Sequence, residues 1–470
     1  MKRTRWLIAL FAVFAMVLAA CGDGGEGADD GDGDNGTDTT ETTEAPGEEC
    51  ESAGADFNLF GAPTGVEGDA LEGFVDVYNE ECDTDISYRG SDGFEEELRI
   101  AVDGGDPPAV AFTPQPASIC DFADDGDLVS LEDMGFDIAE MEENHSAYWM
   151  GLGECADGNH YGVPWFPNFK SVVFYHIPTF EDNGYEVPET YDDMVALSEQ
   201  IAADGAVNAP WCFGLESGGA TGWPGTDWVE DIFVRQHGTD AYEDWYTHEI
   251  PFNDPMVVES FETFGEILFG EGFVLGGAEN VAGVNFNDSP GPLFEDPPGC
   301  AMLKQGSFIA NVFEDQPGYD EDEDEEIGVF SFPTIDGNTG AMGGGDTMIV
   351  FDDSPEVAAT VADWITPDWQ CTLASASGGG IAPYGGHGVE GVERLPGHKD
   401  VDPECYETEA SQTFAQTITE SLEENTFVFD ASDLMPPEVG QRTFWDGIVE
   451  WTRGADTQEV VDEIEESWPE

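Results

Sequence analysis

From residue 56 onward the chain alternates two hydrophobic patterns, broken by glycine- and proline-bearing turns. Short apolar runs at 56–60, 86–88, 109–112 and 172–175 predict strands. Apolar positions three and four apart predict helices between them. Leu71, Phe74, Val75 and Tyr78 define the first, after a loop at 61–68. Phe94, Leu98 and Ala101 define the second, ended near Gly104 and Gly105. Thr190 reads as the N-cap of a helix carrying Tyr191, Met194, Leu197 and Ile201, ended by Gly205. Asp254-Pro255 opens another, with Val257, Phe261, Phe264 and Leu268 on one face. Strands follow at 327–330 and 347–351, then a helix from Ser354-Pro355 with Val357, Val361, Trp364 and Ile365.

Strands alternating with helices predict a mainly parallel α/β sheet. In such sheets ligands sit beyond the carboxyl ends of strands. Glu67, Ser91, Asp92 and Gln115 follow successive strands and become candidate ligand contacts.

One stretch breaks the pattern. Residues 211–231 hold Trp211, Trp223 and Trp228 among glycines, where helix and strand are both weak, and so predict a loop. Trp211 reads as a core residue. Trp223 and Trp228, beside Thr226 and Asp227, offer apolar faces next to hydrogen-bonding groups, the pairing a sugar ring requires. Lys170 lies at a loop-to-strand junction, placed either to donate to sugar hydroxyls or to pair with a surface acid.

The N-terminus adds export. Residues 1–20 carry a basic start, an apolar run and small residues, the form of a signal peptide. Leu18-Ala19-Ala20-Cys21 resembles a bacterial lipobox, which implies a lipid on Cys21 and a membrane contact through that anchor alone. Residues 21–54 form the expected tether, almost without apolar side chains up to 49 and therefore disordered. Asp30, Asp32, Asp34 and Glu41 fall at calcium-loop offsets, but Asn35 stands where that loop needs Gly. No metal or cofactor is expected.

Charge narrows the partners. The 470 residues carry 102 Asp plus Glu against 12 Lys plus Arg, a formal charge of −90. Such a field excludes nucleic acid and anionic lipid surfaces, and fits a saline, halophilic habitat where salt screens self-repulsion. The run at 320–326 reads as a solvated acidic loop. Eight cysteines remain after Cys21, an even number that argues disulfides in an exported chain. The expected pairs are Cys50–Cys82, Cys120–Cys155, Cys212–Cys300 and Cys371–Cys405.

Four segments carry a resemblance: residues 220–228 (Ala-Thr-Gly-Trp-Pro-Gly-Thr-Asp-Trp), Pro-Pro-Gly-Cys at 297–300, Gly-Gly-Gly-Asp at 343–346, and Ser-Asp-Leu-Met-Pro-Pro-Glu-Val-Gly at 432–440 before Phe444-Trp445. Over roughly 56–470 they resemble the maltose-binding-like solute-binding proteins of carbohydrate ABC importers, and the α-glucoside-binding branch in particular. The resemblance implies a two-lobe, periplasmic-binding-protein-like α/β fold (type II) with a hinge. Lobe one would be 55–167 and 300–352, and lobe two 168–299 and 353–470, with crossings near 163–171, 295–300 and 352–356. Gln115, Lys170, Trp223, Asp227, Trp228, Asp346 and Trp445 would face the cleft, with Glu67, Ser91 and Asp92 as weaker carry-overs. It also implies a monomer that delivers a carbohydrate to an ABC permease, without catalysis.

Two other functions compete. A non-sugar solute such as a peptide or a polyamine would suit the charge. A secreted glycosidase would need a carboxylate pair such as Asp227 and Glu230 flanking the scissile bond.

Overall fold

In the computed structural model the described residues are 50–469, except 92, 314–315, 320–326, 379–394, 396, 403–404, 406–408 and 425. The signal peptide, Cys21, nearly all of the tether, Asp92 and the acidic run at 320–326 lie outside them.

Two sheets organise the chain. The first contains β1 (Asp56–Gly61), β2 (Asp85–Gly90), β3 (Val110–Thr113), β4 (Gly162–Phe169), β9 (Ala341–Val350) and β10 (Phe427–Phe429). Its path runs β10-β9-β3-β1-β2, with β4 also paired to β9. Strands β1, β2 and β3 are mutually parallel, whereas β9 runs antiparallel to β3 and β4. The second contains β5 (Val172–His176), β6 (Ala209–Trp211), β7 (Cys300–Lys304) and β8 (Ile327–Ser331) in the order β6-β7-β5-β8. Only β6 and β7 are parallel there, so this sheet departs from the parallel expectation.

Each sheet carries its own apolar core. Phe74, Trp165 and Trp364 pack edge-on or tilted in the first, with Phe74 and Trp364 centroids 5.5 Å apart. Trp211, Trp228, Phe264 and Phe332 centre the second. The predicted caps form: Thr190 accepts from Asp193 N, and Asp254 accepts from Met256 N.

The lobes divide differently from the expected boundaries. Cys300–Lys304 and Ile327–Ser331 hydrogen-bond to β5 and so belong to the second sheet, not to lobe one. The helix Pro355–Trp364 packs on the first core through Val357, Val361 and Trp364, not on lobe two. The chain therefore crosses at 170–171, at 332–340 and at Asp430, after which the C-terminal helices pack on the second core.

Three local expectations also change. The helix Gly65–Cys82 begins inside the expected loop at 61–68, putting Glu67 in its first turn. Residues 343–346 are not a break between strands but the middle of β9. Glycine is needed there because Gly345 has φ +148° and a Cβ on it would run into the Phe166 carbonyl oxygen. The tryptophan stretch is not a loop either, since Trp223–His237 is a 15-residue helix. Pro224 sits in the first turn, where its missing N–H costs nothing. Gly225 is required by packing, because a Cβ would meet the Ile448 side chain at 2.5 Å.

Disulfides join Cys50 to Cys82, Cys120 to Cys155, Cys212 to Cys300 and Cys371 to Cys405. The third ties β7 to the segment just after β6, across 88 residues.

Candidate functional site

A cavity of about 420 Å³ opens between residues of the two sheets. The segments that follow β1, β2 and β3 bring Glu67, in the first turn of its helix, and Ser91 and Gln115 to its wall. Asp346 reaches it from the middle of β9, and Lys170 from the turn between β4 and β5. Trp223 begins the helix Trp223–His237 and Trp445 begins the helix Trp445–Thr452, and both line the cavity.

Trp223 is half-buried and edge-on to Phe286, with centroids 5.1 Å apart, and Phe308 lies beside it at 5.9 Å. The Lys170 Nζ sits 5.2 Å from its ring centre. Trp445 lines the cavity with its ring, while its indole N–H is enclosed in the protein without a hydrogen-bond partner.

Two of the expected contacts lie elsewhere. Trp228 is fully buried in the second core, stacked on Phe264 at 5.0 Å and 12°. It sits five residues after Trp223 on one helix, and five residues turn roughly 500° at 3.6 residues per turn. The two indoles therefore point to different faces. Asp227 is buried behind the cavity wall and accepts a hydrogen bond from Lys170 Nζ at 3.1 Å.

Lys170 also donates to Asp430 at 2.5 Å. Burial works against the ammonium, but Asp227, Asp430 and Asp433 carry its pKa well above the ordinary value. Burial likewise pushes Asp430 up, and Lys170 together with hydrogen bonds from Asp227 and Ser432 more than reverses it, holding this carboxylate ionised. For Asp227 burial wins, and its pKa rises to about 7. Of the two acids on one ammonium, the closer one keeps the charge.

The polar face of the helix Trp223–His237 holds all three chain crossings. Asp227 binds Lys170 at the first. Asp231 accepts from Ser171 Oγ at 2.6 Å, and Ser171 Oγ accepts from Met342 N at 2.9 Å. Arg235 pairs with Asp231 and donates to the carbonyls of Phe332 and Gly340 at the second crossing. Glu230 accepts from the main-chain N–H of Ala431 at 2.7 Å and of Ser432 at 3.3 Å at the third. Lys304 completes the cluster 3.3 Å from Asp231.

This settles what the buried acids can do. The carboxylates of Asp227, Glu230 and Asp430 come within 4.8 Å of one another, close enough to chelate a cation. The Lys170 ammonium already bridges two of them. Glu230 is fully buried and, with Asp227, lies outside the cavity wall, so the pair cannot flank a glycosidic bond.

Several lining residues were not singled out from sequence: Glu95, Glu216, Asn285, Phe308, Asp430 and Asp433. Asp430 and Asp433 follow β10 as Gln115 follows β3, so the strand-end rule would have nominated them had 427–429 been read as a strand. Glu95 and Glu216 carried no signal in so acidic a chain.

A two-lobed α/β body, with strand-end loops and aromatic side chains around an interlobe cavity, defines a solute receptor of the type II binding-protein class. Residues 62–366 match the family model described as bacterial extracellular solute-binding protein, and the chain belongs to that family. The osmoprotective compounds-binding protein GgtB of Synechocystis sp. is 35% identical over 426 residues, 90% of this chain and 95% of that protein. The alpha-glucosides-binding periplasmic protein AglE of Rhizobium meliloti is 33% identical over 427 residues, 88% of this chain and 87% of that protein. Among solved structures, the bacterial solute receptor AcbH superposes with a TM-score of 0.69 at 17% identity, covering 88% of this chain and 97% of that one, which shows the shared fold.

Proposed function

We propose that the protein captures a neutral carbohydrate, an α-glucoside or short oligosaccharide, in the interlobe cavity and hands it to an ABC permease without chemical change. The observation that carries this reading is the half-buried Trp223 indole, flanked by Phe286 and Phe308 in a cavity lined by carboxylates and amides. An apolar face beside a rim of acceptors matches a pyranose. About 420 Å³ falls within the range of roughly 300–1,000 Å³ typical of small-molecule sites. The α-glucosides in the name of AglE support the same ligand class, whereas the name of GgtB gives osmoprotective compounds. Lipidated Cys21 and the segment after it would hold the receptor at the outer face of the cell membrane.

Calorimetry against trehalose, sucrose, maltose and raffinose, with product analysis of the same samples, tests the reading. Saturable binding with unchanged sugar supports it. Hydrolysed sugar, or no binding to any of them, overturns it. Cys21→Ser should release the protein into the medium, and a mutant that stays on the membrane would place the anchor elsewhere.

A further inference from the structure

A hinge is expected where the chain crosses between lobes, yet each crossing is fastened to lobe two. At the first, Ser171 Oγ donates to Asp231 and accepts from Met342 N, and Lys170 N donates to the Met342 carbonyl at 2.8 Å. At the second, Arg235 holds the carbonyls of Phe332 and Gly340, and Asn338 Nδ2 donates to the Arg235 carbonyl at 3.1 Å. Thr334 adds main-chain bonds to Glu189 and Tyr191. At the third, Glu230 accepts from Ala431 and Ser432, and the Tyr242 hydroxyl donates to the Phe429 carbonyl at 3.0 Å. Segments tied at so many points do not absorb a rotation between lobes.

These ties stop along one line across the first sheet. Phe169 of β4 and Phe429 of β10 both stand opposite Gly343 of β9. The Gly343 carbonyl accepts from Asp430 N at 2.8 Å, and Phe169 N donates to Ser307 Oγ, just after β7, at 3.1 Å. Phe429 marks the boundary itself. Its carbonyl is held by Tyr242 of lobe two, while its N–H donates at 2.7 Å to Tyr148, on the helix Ala147–Gly151 that packs against β4. Beyond this line β9 continues as Gly344-Gly345. Its ladder with β10 has ended at Gly343, and its ladder with β3 begins only at Thr347. On the other edge these two glycines pair with Asn168 and Pro167, and Pro167 has no N–H to give. Glycine in a strand interior leaves the backbone free where packing and pairing are weakest.

We infer that the lobes rotate about Gly344-Gly345, inside the first sheet, and that the three crossings move as part of lobe two. Lys170 and Asp430 then keep their places beside Trp223 as the cavity opens and closes. Asp346, the residue after the pivot, swings with Glu67 and Gln115 of lobe one. Phe169 and Phe429 share a buried cluster with Trp149 and Phe174, which holds the strands together as they bend. The inference is independent of which solute is bound.

Spin labels on Glu96→Cys of lobe one and Glu243→Cys of lobe two, both exposed, report the interlobe distance by double electron–electron resonance in the Cys21→Ser chain. Gly344→Ala is the replacement the triplet admits. The nearest neighbours of its Cβ are Lys170 side-chain atoms, whereas at Gly343 and Gly345 a Cβ meets the carbonyl oxygens of Asn168 and Phe166. Alanine loses the backbone angles that only glycine takes, so the ligand-free distance distribution should narrow. Tyr242→Phe removes the tie on the Phe429 carbonyl and adds a second compliant point, so the distribution should broaden. A Gly-Gly insertion after Gly337, in the exposed turn of the second crossing, should leave it unchanged. Thermal melting checks that each variant folds, and Tyr242→Phe and the insertion decide the matter if Gly344→Ala does not. Unchanged widths in both substitutions, or broadening by the insertion, overturn the inference. If the ligand-free pattern holds and no sugar of the panel shifts the distance, the carbohydrate reading fails and the pivot stands.

Discussion

Lys170 and Asp430 meet across 260 residues of sequence, their Nζ and Oδ2 atoms 2.5 Å apart. Each lies where the chain passes between the lobes, Lys170 after β4 and Asp430 after β10. Asp227 joins them from the helix Trp223–His237. A chain with 12 basic residues has sealed three of them, Lys170, Arg235 and Lys304, into this one cluster.

Removing the ammonium should therefore be costly. Lys170→Met leaves Asp227 and Asp430 buried without their counter-ion, and breaking such a pair costs about 3–5 kcal/mol. Denaturant unfolding should show the midpoint falling while ligand-free secondary structure persists. A midpoint within experimental error of wild type would mean that the cluster is not held by this charge.

The two tryptophans on one helix should separate binding from folding. Trp223→Ala removes a half-buried ring from the cavity wall and should weaken α-glucoside binding by about 2–3 kcal/mol, roughly 30- to 150-fold. Its melting temperature should change little. Trp228→Ala empties a fully buried site and should destabilise the fold by about 3–5 kcal/mol. Calorimetry and thermal melts on both variants decide it, and the reverse pattern would contradict the placement of the two rings.

A histidine pair should mark the acid limb of stability. His145 is buried against His398, with ring centroids 5.1 Å apart, and its Nδ1 lies 3.0 Å from the Gly397 carbonyl. Burial, reinforced by His398 and Lys399, lowers its pKa from 6.5 to about 4. Between those values the unfolded chain holds a proton on this residue that the folded chain does not. Stability from His145 is thus full above pH 6.5 and is lost as pH falls toward about 4. Asp227, raised to about 7, tilts the total the other way, so the informative quantity is a difference. Unfolding free energy of wild type minus His145→Gln should decline from pH 7 to pH 4, and a flat difference would exclude the effect.

Salt should stabilise. With a formal charge of −90, the folded chain works against its own carboxylates, and screening relieves this. The melting temperature should climb from low to molar NaCl. A flat or falling curve would show that the acidic surface is not the limiting term.

The sequence by itself determined the strands and helices with the clearest caps, apolar spacing and turn residues, because these act within a few residues of each other. Thr190, Asp254 and Pro355 open helices as read, and the strand-end rule brought Glu67, Ser91 and Gln115 to one cavity. Only the tertiary structure decided which tryptophan faces the ligand. Glycines 222 and 225 hid the helix and with it the phase that sends Trp228 onto Phe264 and leaves Trp223 at the cavity. It also decided which acids Lys170 would hold. Among 102 carboxylates no local pattern selects Asp227 and Asp430, because an ion pair depends on where two distant segments are brought together and on the low dielectric around them.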